Sequence, residues 1–331
     1  MGRAFARSIF FKILMTLKTQ TTALLFPGQG SQLLGMGKEL AQTEVVAREI
    51  FTQADDILGY SLSELSWEGP AEELNDTLNT QPALLVHSTA VYRVLQSQYP
   101  DFVPAFTAGH SLGEISALVA AESLSFEDAL ILVRERGVAM QHAGKVHPGG
   151  MAAVLGLTIE DVEKACEQST SEVEGGVWVA NDNCPGQIVI SGDIDALTNV
   201  MERLPELGAR KVVRLAVSIP AHSPLMIPAQ EQFSRALSHT RFEEPQIATI
   251  GNGNALPLST VEDVVEDLGA QLRVRVRWTE SIRYMIGAGV ETFIEVGSGK
   301  VLTGLLKRID RNVAGFALDT PESFGQLEGI E

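Results

Sequence analysis

Residues 102–121 read FVPAFTAGHSLGEISALVAA. The apolar run 102–108 has the length of a short buried strand, and 113–121 patterns as a helix. Between them, Gly109-His110-Ser111-Leu112-Gly113 matches G-x-S-x-G, a tight strand-to-helix turn that lifts a serine hydroxyl into the open. Glycines flank the serine because a side chain there would collide with neighbouring backbone. The amide of Leu112 falls at the start of the helix, where N–H groups point at a developing negative charge. A strand feeding a helix through such a turn is the unit of an α/β layer with parallel strands.

Working outward, the same rhythm recurs. Thr22-Ala23-Leu24-Leu25-Phe26 reads as a buried strand running into the glycine-punctuated loop Pro27-Gly28-Gln29-Gly30-Ser31-Gln32. Helical spacing follows over 36–58 and again over 82–98. The segment 147–217 differs. Strands at 151–157, 177–180, 187–191 and 210–217 alternate with helices at 159–169 and 193–204, the order βαββαβ of a split βαβ, ferredoxin-like unit. Residues 218–331 return to helix and strand alternation, with a strand at 292–296. The expected fold is therefore α/β: an α/β-hydrolase-like large subdomain with a parallel sheet at 21–146 and 218–331, and an inserted ferredoxin-like small subdomain at 147–217. Residues 1–20 form an N-terminal extension. Its first 14 residues carry Arg3, Arg7 and Lys12 and no acid. They read either as a tail ahead of a translation start at Met15 or as an organelle transit peptide.

Composition narrows the function. The chain has 331 residues, 45% hydrophobic and 20% charged, with a net charge of −17. A disordered chain is excluded, two domains are expected, and a general nucleic-acid binder is disfavoured because phosphate binding needs a basic face. No apolar run is long enough for a membrane span. Two cysteines, Cys166 and Cys184, make no disulfide scaffold and suit a reducing, cytoplasmic setting, or an organelle if 1–14 is a transit peptide.

A serine nucleophile needs a base. Of six histidines, His87 reads as a packed core residue, His239 as surface, and His142 and His147 as loop residues. His110 adjoins Ser111 in sequence and should point away from it. His222, held between Pro220 and Pro224 where the chain rejoins the large subdomain, is the best-placed base. Phosphate-loop readings fail: Gly28-Gln29-Gly30 lacks the third glycine of G-x-G-x-x-G, and Met36 stands where a P-loop needs lysine. No metal is expected, since the cysteines lie far apart without a nearby histidine.

Six motifs now line up in order: Phe26-Pro27-Gly28-Gln29-Gly30-Ser31-Gln32, Gly109-His110-Ser111-Leu112-Gly113-Glu114, Arg134-Glu135-Arg136-Gly137, Asn181-Asp182-Asn183-Cys184-Pro185-Gly186-Gln187, Pro220-Ala221-His222-Ser223 and Glu295-Val296-Gly297-Ser298-Gly299-Lys300-Val301-Leu302. From about Ala23 to Arg308 the chain resembles the acyltransferase family, and within it the stand-alone malonyl-CoA:acyl carrier protein transacylases of fatty acid synthesis. The resemblance implies Ser111 as nucleophile, His222 as base, and the backbone amides of Gln29 and Leu112 as oxyanion hole. It implies Arg136 as clamp for the malonyl carboxylate, the Gln271 carbonyl as the group orienting His222, and Asn181 as a contact to the bound thioester.

It further implies a ping-pong transfer from malonyl-CoA to the phosphopantetheine thiol of acyl carrier protein, in fatty acid or polyketide synthesis, by a monomer without cofactor. An arginine suits the clamp independently, because its fixed fork matches a carboxylate and would stand unpaired against acetyl. Ala221, smaller than the residue related enzymes often carry there, leaves malonyl against methylmalonyl selectivity open. Arg273, Arg275, Arg277, Lys300, Lys307 and Arg308 are candidates for a basic docking patch, with solvated or acid-paired charges as the alternative. A serine acyl hydrolase or thioesterase, and a non-catalytic docking module, are the rival functions.

Overall fold

The computed structural model describes residues 19–328, so the leader 1–14 lies outside the described residues. The described residues form ten strands: β1 (Thr22–Phe26), β2 (Phe106–Gly109), β3 (Gly149–Leu155), β4 (Val177–Cys184), β5 (Gln187–Asp193), β6 (Lys211–Arg214), β7 (Ala248–Ile250), β8 (Pro257–Leu258), β9 (Thr292–Val296) and β10 (Ala314–Leu318). Six make one sheet in the order β10-β9-β1-β2-β7-β8. All neighbours are parallel except the β7–β8 pair.

β1 is buried at every position, as a central strand covered on both faces must be. One face packs on the long helices Thr77–Gln98 and Phe126–Val146, the other on Trp278, Ile282, Met285, Leu302 and Leu306. Both strands that carry the quoted loops, β1 and β2, end at the same edge of the sheet, where open α/β sheets hold ligands.

The remaining strands form an antiparallel sheet in the order β4-β5-β3-β6, with helices Ile159–Glu172 and Ile194–Arg203 packed on one face. The expected βαββαβ order is found. Its inner face buries Val154, Ile188, Ile190, Val162 and Leu197. The two sheets are tied where β4 meets the chain at Val276: the Asp182 N–H donates to the Val276 carbonyl, and the Val276 N–H to that of Ala180, both at 2.9 Å. No helix of the described residues is long and apolar enough to cross a membrane.

Two expectations need correction. The helical stretch 36–58 is two helices, Lys38–Thr43 and Val45–Leu58, because Glu44 is extended between them. The helix expected at 82–98 begins at Thr77, capped by Asp76, and carries Pro82 inside it. Proline suits a first helical turn, which placed the expected start at Pro82. Here the carbonyl that Pro82 leaves without an N–H, that of Leu78, is taken by Arg134 Nη1, and this lets the helix run through.

Candidate active site

The elbow is as tight as its sequence requires. A methyl group on Gly109 would come within 1.9 Å of Gly113, one on Gly113 within 2.0 Å of the Phe26 carbonyl, and one on Gly28 within 2.2 Å of the His110 carbonyl. Ser111 is held at φ 53°, the left-handed region that non-glycine residues seldom occupy. Asn252 braces it. Its Oδ1 accepts the Ser111 N–H at 2.7 Å and its Nδ2 donates to the Gly109 carbonyl at 2.7 Å. Asn252 was not singled out in the sequence. The only cue was an asparagine between Gly251 and Gly253, just past the short apolar segment that forms β7.

Ser111 and His222 meet across 111 residues of chain: Oγ lies 2.8 Å from Nε2. His222 Nδ1 lies 2.9 Å from the Gln271 carbonyl and 3.1 Å from that of Val274. Carbonyls only accept, so the proton of the neutral ring sits on Nδ1 and Nε2 faces the serine as an acceptor. Burial, with help from Arg136 and His110, lowers the His222 pKa to about 3. The imidazole is therefore neutral and basic at ordinary pH. His222 too is left-handed, at φ 58°, and its N–H donates to Leu272.

Arg136 is 1% exposed. Its Nη2 donates to Ser111 Oγ at 3.0 Å and to Gln271 Oε1 at 2.8 Å. Nε also reaches Gln271 Oε1, and Nη1 donates to Gln81 Oε1 at 2.7 Å. Every one of these acceptors is neutral, and among the described residues Arg136 makes no ion pair. Burial lowers its pKa to about 10, which leaves it charged. Gln81 was not foreseen, for a single glutamine in an apolar helix carries no signal of its own. The Gln271 side chain was not foreseen either; only its carbonyl was.

The backbone N–H groups of Gln29 and Leu112 donate to no acceptor among the described residues, and Gln29 flanks the cleft that contains Ser111. Its side chain is held by Thr77 Oγ1 at 3.0 Å. Asn181 lines the same cleft from β4. This cleft, about 740 Å³, runs between the two sheets. It has Ser111, His222 and Arg136 at its base and Met151, Val189, Val217, Ile219, Val301 and Leu305 on its walls.

Of the other histidines, His87 is fully buried, as expected, bonded to Asp319 at 2.7 Å, and His147 and His239 are exposed. His142, expected in a loop, is exposed but lies within the helix Phe126–Val146. His110 turns to Asn183 Oδ1 at 2.8 Å and packs on the Trp278 ring. The basic patch needs correction. Arg275 is paired with Glu163, Arg277 doubly with Glu280, and Arg308 holds the Pro185 and Gly186 carbonyls and the Gln187 side chain. Arg273, Lys300 and Lys307 are exposed and make no ion pair among the described residues.

A serine on a strained elbow, a neutral imidazole bonded to it and two free amides beside it define a site for acyl transfer through an ester. Residues 23–317 match the acyl transferase domain family, and the chain belongs to that family. It is 45% identical over 301 residues to the malonyl CoA-acyl carrier protein transacylase of Bacillus subtilis (strain 168), covering 91% of this chain and 94% of the relative. The solved acyl carrier protein S-malonyltransferase of Vibrio cholerae O1 superposes with a TM-score of 0.89 at 41% identity, covering 93% of this chain and 99% of the other. A malonyl-transacylase solved in complex with its type II PKS acyl-carrier protein gives 0.89 at 39% identity, with 92% and 98% covered.

Proposed function

We propose that the protein transfers the malonyl group of malonyl-CoA to the thiol of acyl carrier protein through a malonyl ester on Ser111. The observation that carries this reading is the buried, charged Arg136 beside Ser111 with only neutral partners. A second carboxylate on the acyl group supplies the missing anion. An acetyl group would leave the cation unpaired in a low-dielectric site.

The steps follow from the geometry. Ser111 Oγ attacks the thioester carbonyl while its proton passes to His222 Nε2. The carbonyl oxygen becomes an oxyanion received by the N–H groups of Gln29 and Leu112. The carbon–sulfur bond breaks, and His222 returns the proton to the departing CoA sulfur. The thiol of the carrier's phosphopantetheine then enters the same cleft, and the same steps run in reverse. Ester and thioester exchange one acyl group for one proton, so atoms balance without redox change and no cofactor is called for. The apolar walls from Met151 to Leu305 keep water from the ester, and Asn181 is placed to touch the thioester arm. Residues 147–217 act as the second wall of the cleft. Cys166 and Cys184, both free and buried, suit the cytoplasm.

Incubation with malonyl-CoA followed by intact-mass measurement tests the reading. The wild type gains one malonyl group and loses it on addition of carrier protein bearing a free phosphopantetheine thiol; Ser111→Ala gains none. Release of the ester to water at the same rate with and without carrier would make the protein a hydrolase instead.

A further inference from the structure

The arginine of the cleft and the loop that carries the Gln29 amide are joined by a chain of side chains that the steps above leave unused. Arg136 Nη1 donates to Gln81 Oε1 at 2.7 Å, Gln81 Nε2 donates to Thr77 Oγ1 at 2.9 Å, and Thr77 Oγ1 donates to Gln29 Oε1 at 3.0 Å. The polarity of this chain is forced from one end. A guanidinium has only donors, so Gln81 turns its oxygen to Arg136 and its amide nitrogen to Thr77. Thr77 then accepts from Gln81 and has one proton left, which goes to Gln29. Gln81, Arg136 and Thr77 are all buried, so the chain is sheltered from solvent until it reaches the exposed Gln29.

Gln29 needs such an anchor. Its own N–H and carbonyl make no backbone hydrogen bond among the described residues. The loop holds the neighbouring groups from within. The Gly28 carbonyl accepts the Ser31 hydroxyl at 2.7 Å and the Ser31 N–H at 3.3 Å, and the Gly30 N–H goes to Gln32 Oε1 at 2.7 Å. A peptide is planar and trans, so with the Gly28 carbonyl turned into the loop the Gln29 N–H points out of it. Thr77, the first residue of the helix Thr77–Gln98, is the one described residue outside the loop that bonds Gln29.

We infer that Thr77 is a positioning residue of the oxyanion hole: its hydroxyl anchors the Gln29 side chain and so fixes the Gln29 N–H at the cleft, with a polarity that Arg136 dictates through Gln81. The inference rests on the malonyl-transfer reading, in which that N–H receives the oxyanion, and adds to it the group that holds the donor in place. An oxyanion donor is effective because it is aimed before the charge develops. A Gln29 released from Thr77 keeps its N–H but has to be ordered during the reaction, so the loss falls on the transition state and not on substrate binding. It falls on every acyl group alike, since acetyl and malonyl thioesters form the same oxyanion.

Thr77→Val removes the hydroxyl and keeps the shape of the side chain. It should lower kcat about tenfold, less than the ~10²–10³ of losing a donor outright, with the KM for malonyl-CoA unchanged within about twofold. Thr77→Ser, which keeps the hydroxyl, should restore kcat. Gln29→Leu keeps the N–H, removes the acceptor at an exposed position and should match Thr77→Val, and the double variant should be no slower than either single one. An unchanged kcat in Gln29→Leu would overturn the inference even if Thr77→Val failed to fold. Losses that multiply in the double variant would overturn it as well. So would a loss in Thr77→Val confined to malonyl-CoA and absent with acetyl-CoA, which would assign Thr77 to the clamp instead. Failure of the malonyl reading itself shows separately, as a wild type that gains no malonyl mass.

Discussion

Ser111 and His222 are both held in the left-handed backbone region, at φ 53° and 58°, and such residues cost about 1–3 kcal/mol each unless their surroundings fix them. Asn252 and the Leu272 carbonyl do so. Around this pair the charges divide. His222 is neutral and Arg136 is charged, while burial raises the Glu114 pKa well above its ordinary value. Arg136→Ala should therefore lower malonyl transfer by about 10²–10³, the scale of losing one partner of a buried ion pair, while acetyl-CoA gains relative to malonyl-CoA in a competition assay. Unchanged selectivity would remove the clamp.

The His222 pKa gives a second expectation. Its folded value, about 3, lies below the ordinary 6.5, so protonation favours the unfolded chain. The stability that neutral His222 permits is complete above pH 6.5 and is lost as pH falls toward 3, at about 1.4 kcal/mol per unit for this group. Acid unfolding of His222→Gln should be correspondingly less steep between pH 6 and 4, and the acid limb of wild-type kcat/KM should fall well below pH 6. The serine and the histidine were legible in the sequence because a turn motif and two prolines announce them. Asn252, Gln81 and the Gln271 side chain were not, because a hydrogen-bonding amide leaves no periodicity and acts through partners far along the chain.

At the scale of elements, the fit of β2 and the helix Gly113–Ala120 against β1 depends on a missing side chain. Gly113→Ala would drive a methyl to 2.0 Å from the Phe26 carbonyl. Overpacking against a rigid strand costs about 1–3 kcal/mol, and the strand carries the Gln29 amide. The variant should show a lowered Tm together with a loss of kcat larger than the loss of fold. A lowered Tm with normal kcat would mean that the elbow tolerates displacement.

The motif ending in Val301-Leu302 is equally structural. Buried Glu295 on β9 caps the helix Val301–Ile309, accepting the N–H groups of Leu302 at 2.9 Å and Thr303 at 2.8 Å, a role sequence matching alone does not reveal. Strand periodicity placed β1 and β9 at their observed bounds. The misplaced start at Pro82 shows the opposite case. Local propensity starts a helix there, but Arg134, 56 positions beyond Leu78, supplies the donor that the proline lacks.

For the whole molecule, the net charge of −17 repels any acidic carrier protein, so docking of one has to rely on local cations. Within the candidate patch, Arg275 and Arg277 are spent on Glu163 and Glu280, and Arg308 on the 185–187 turn. Arg273, Lys300 and Lys307 remain exposed, and the two lysines cap or lie on the helix whose Val301, Leu302 and Leu305 line the cleft. Cations at that position meet a carrier as its arm enters and leave the acyl end untouched. Lys300→Glu with Lys307→Glu should raise the KM for carrier protein about tenfold, more at low salt than at high, with little change for malonyl-CoA. Equal rises for both substrates would place the two lysines on the phosphate that CoA and the carrier's arm share, and the docking surface would then lie elsewhere on the rim.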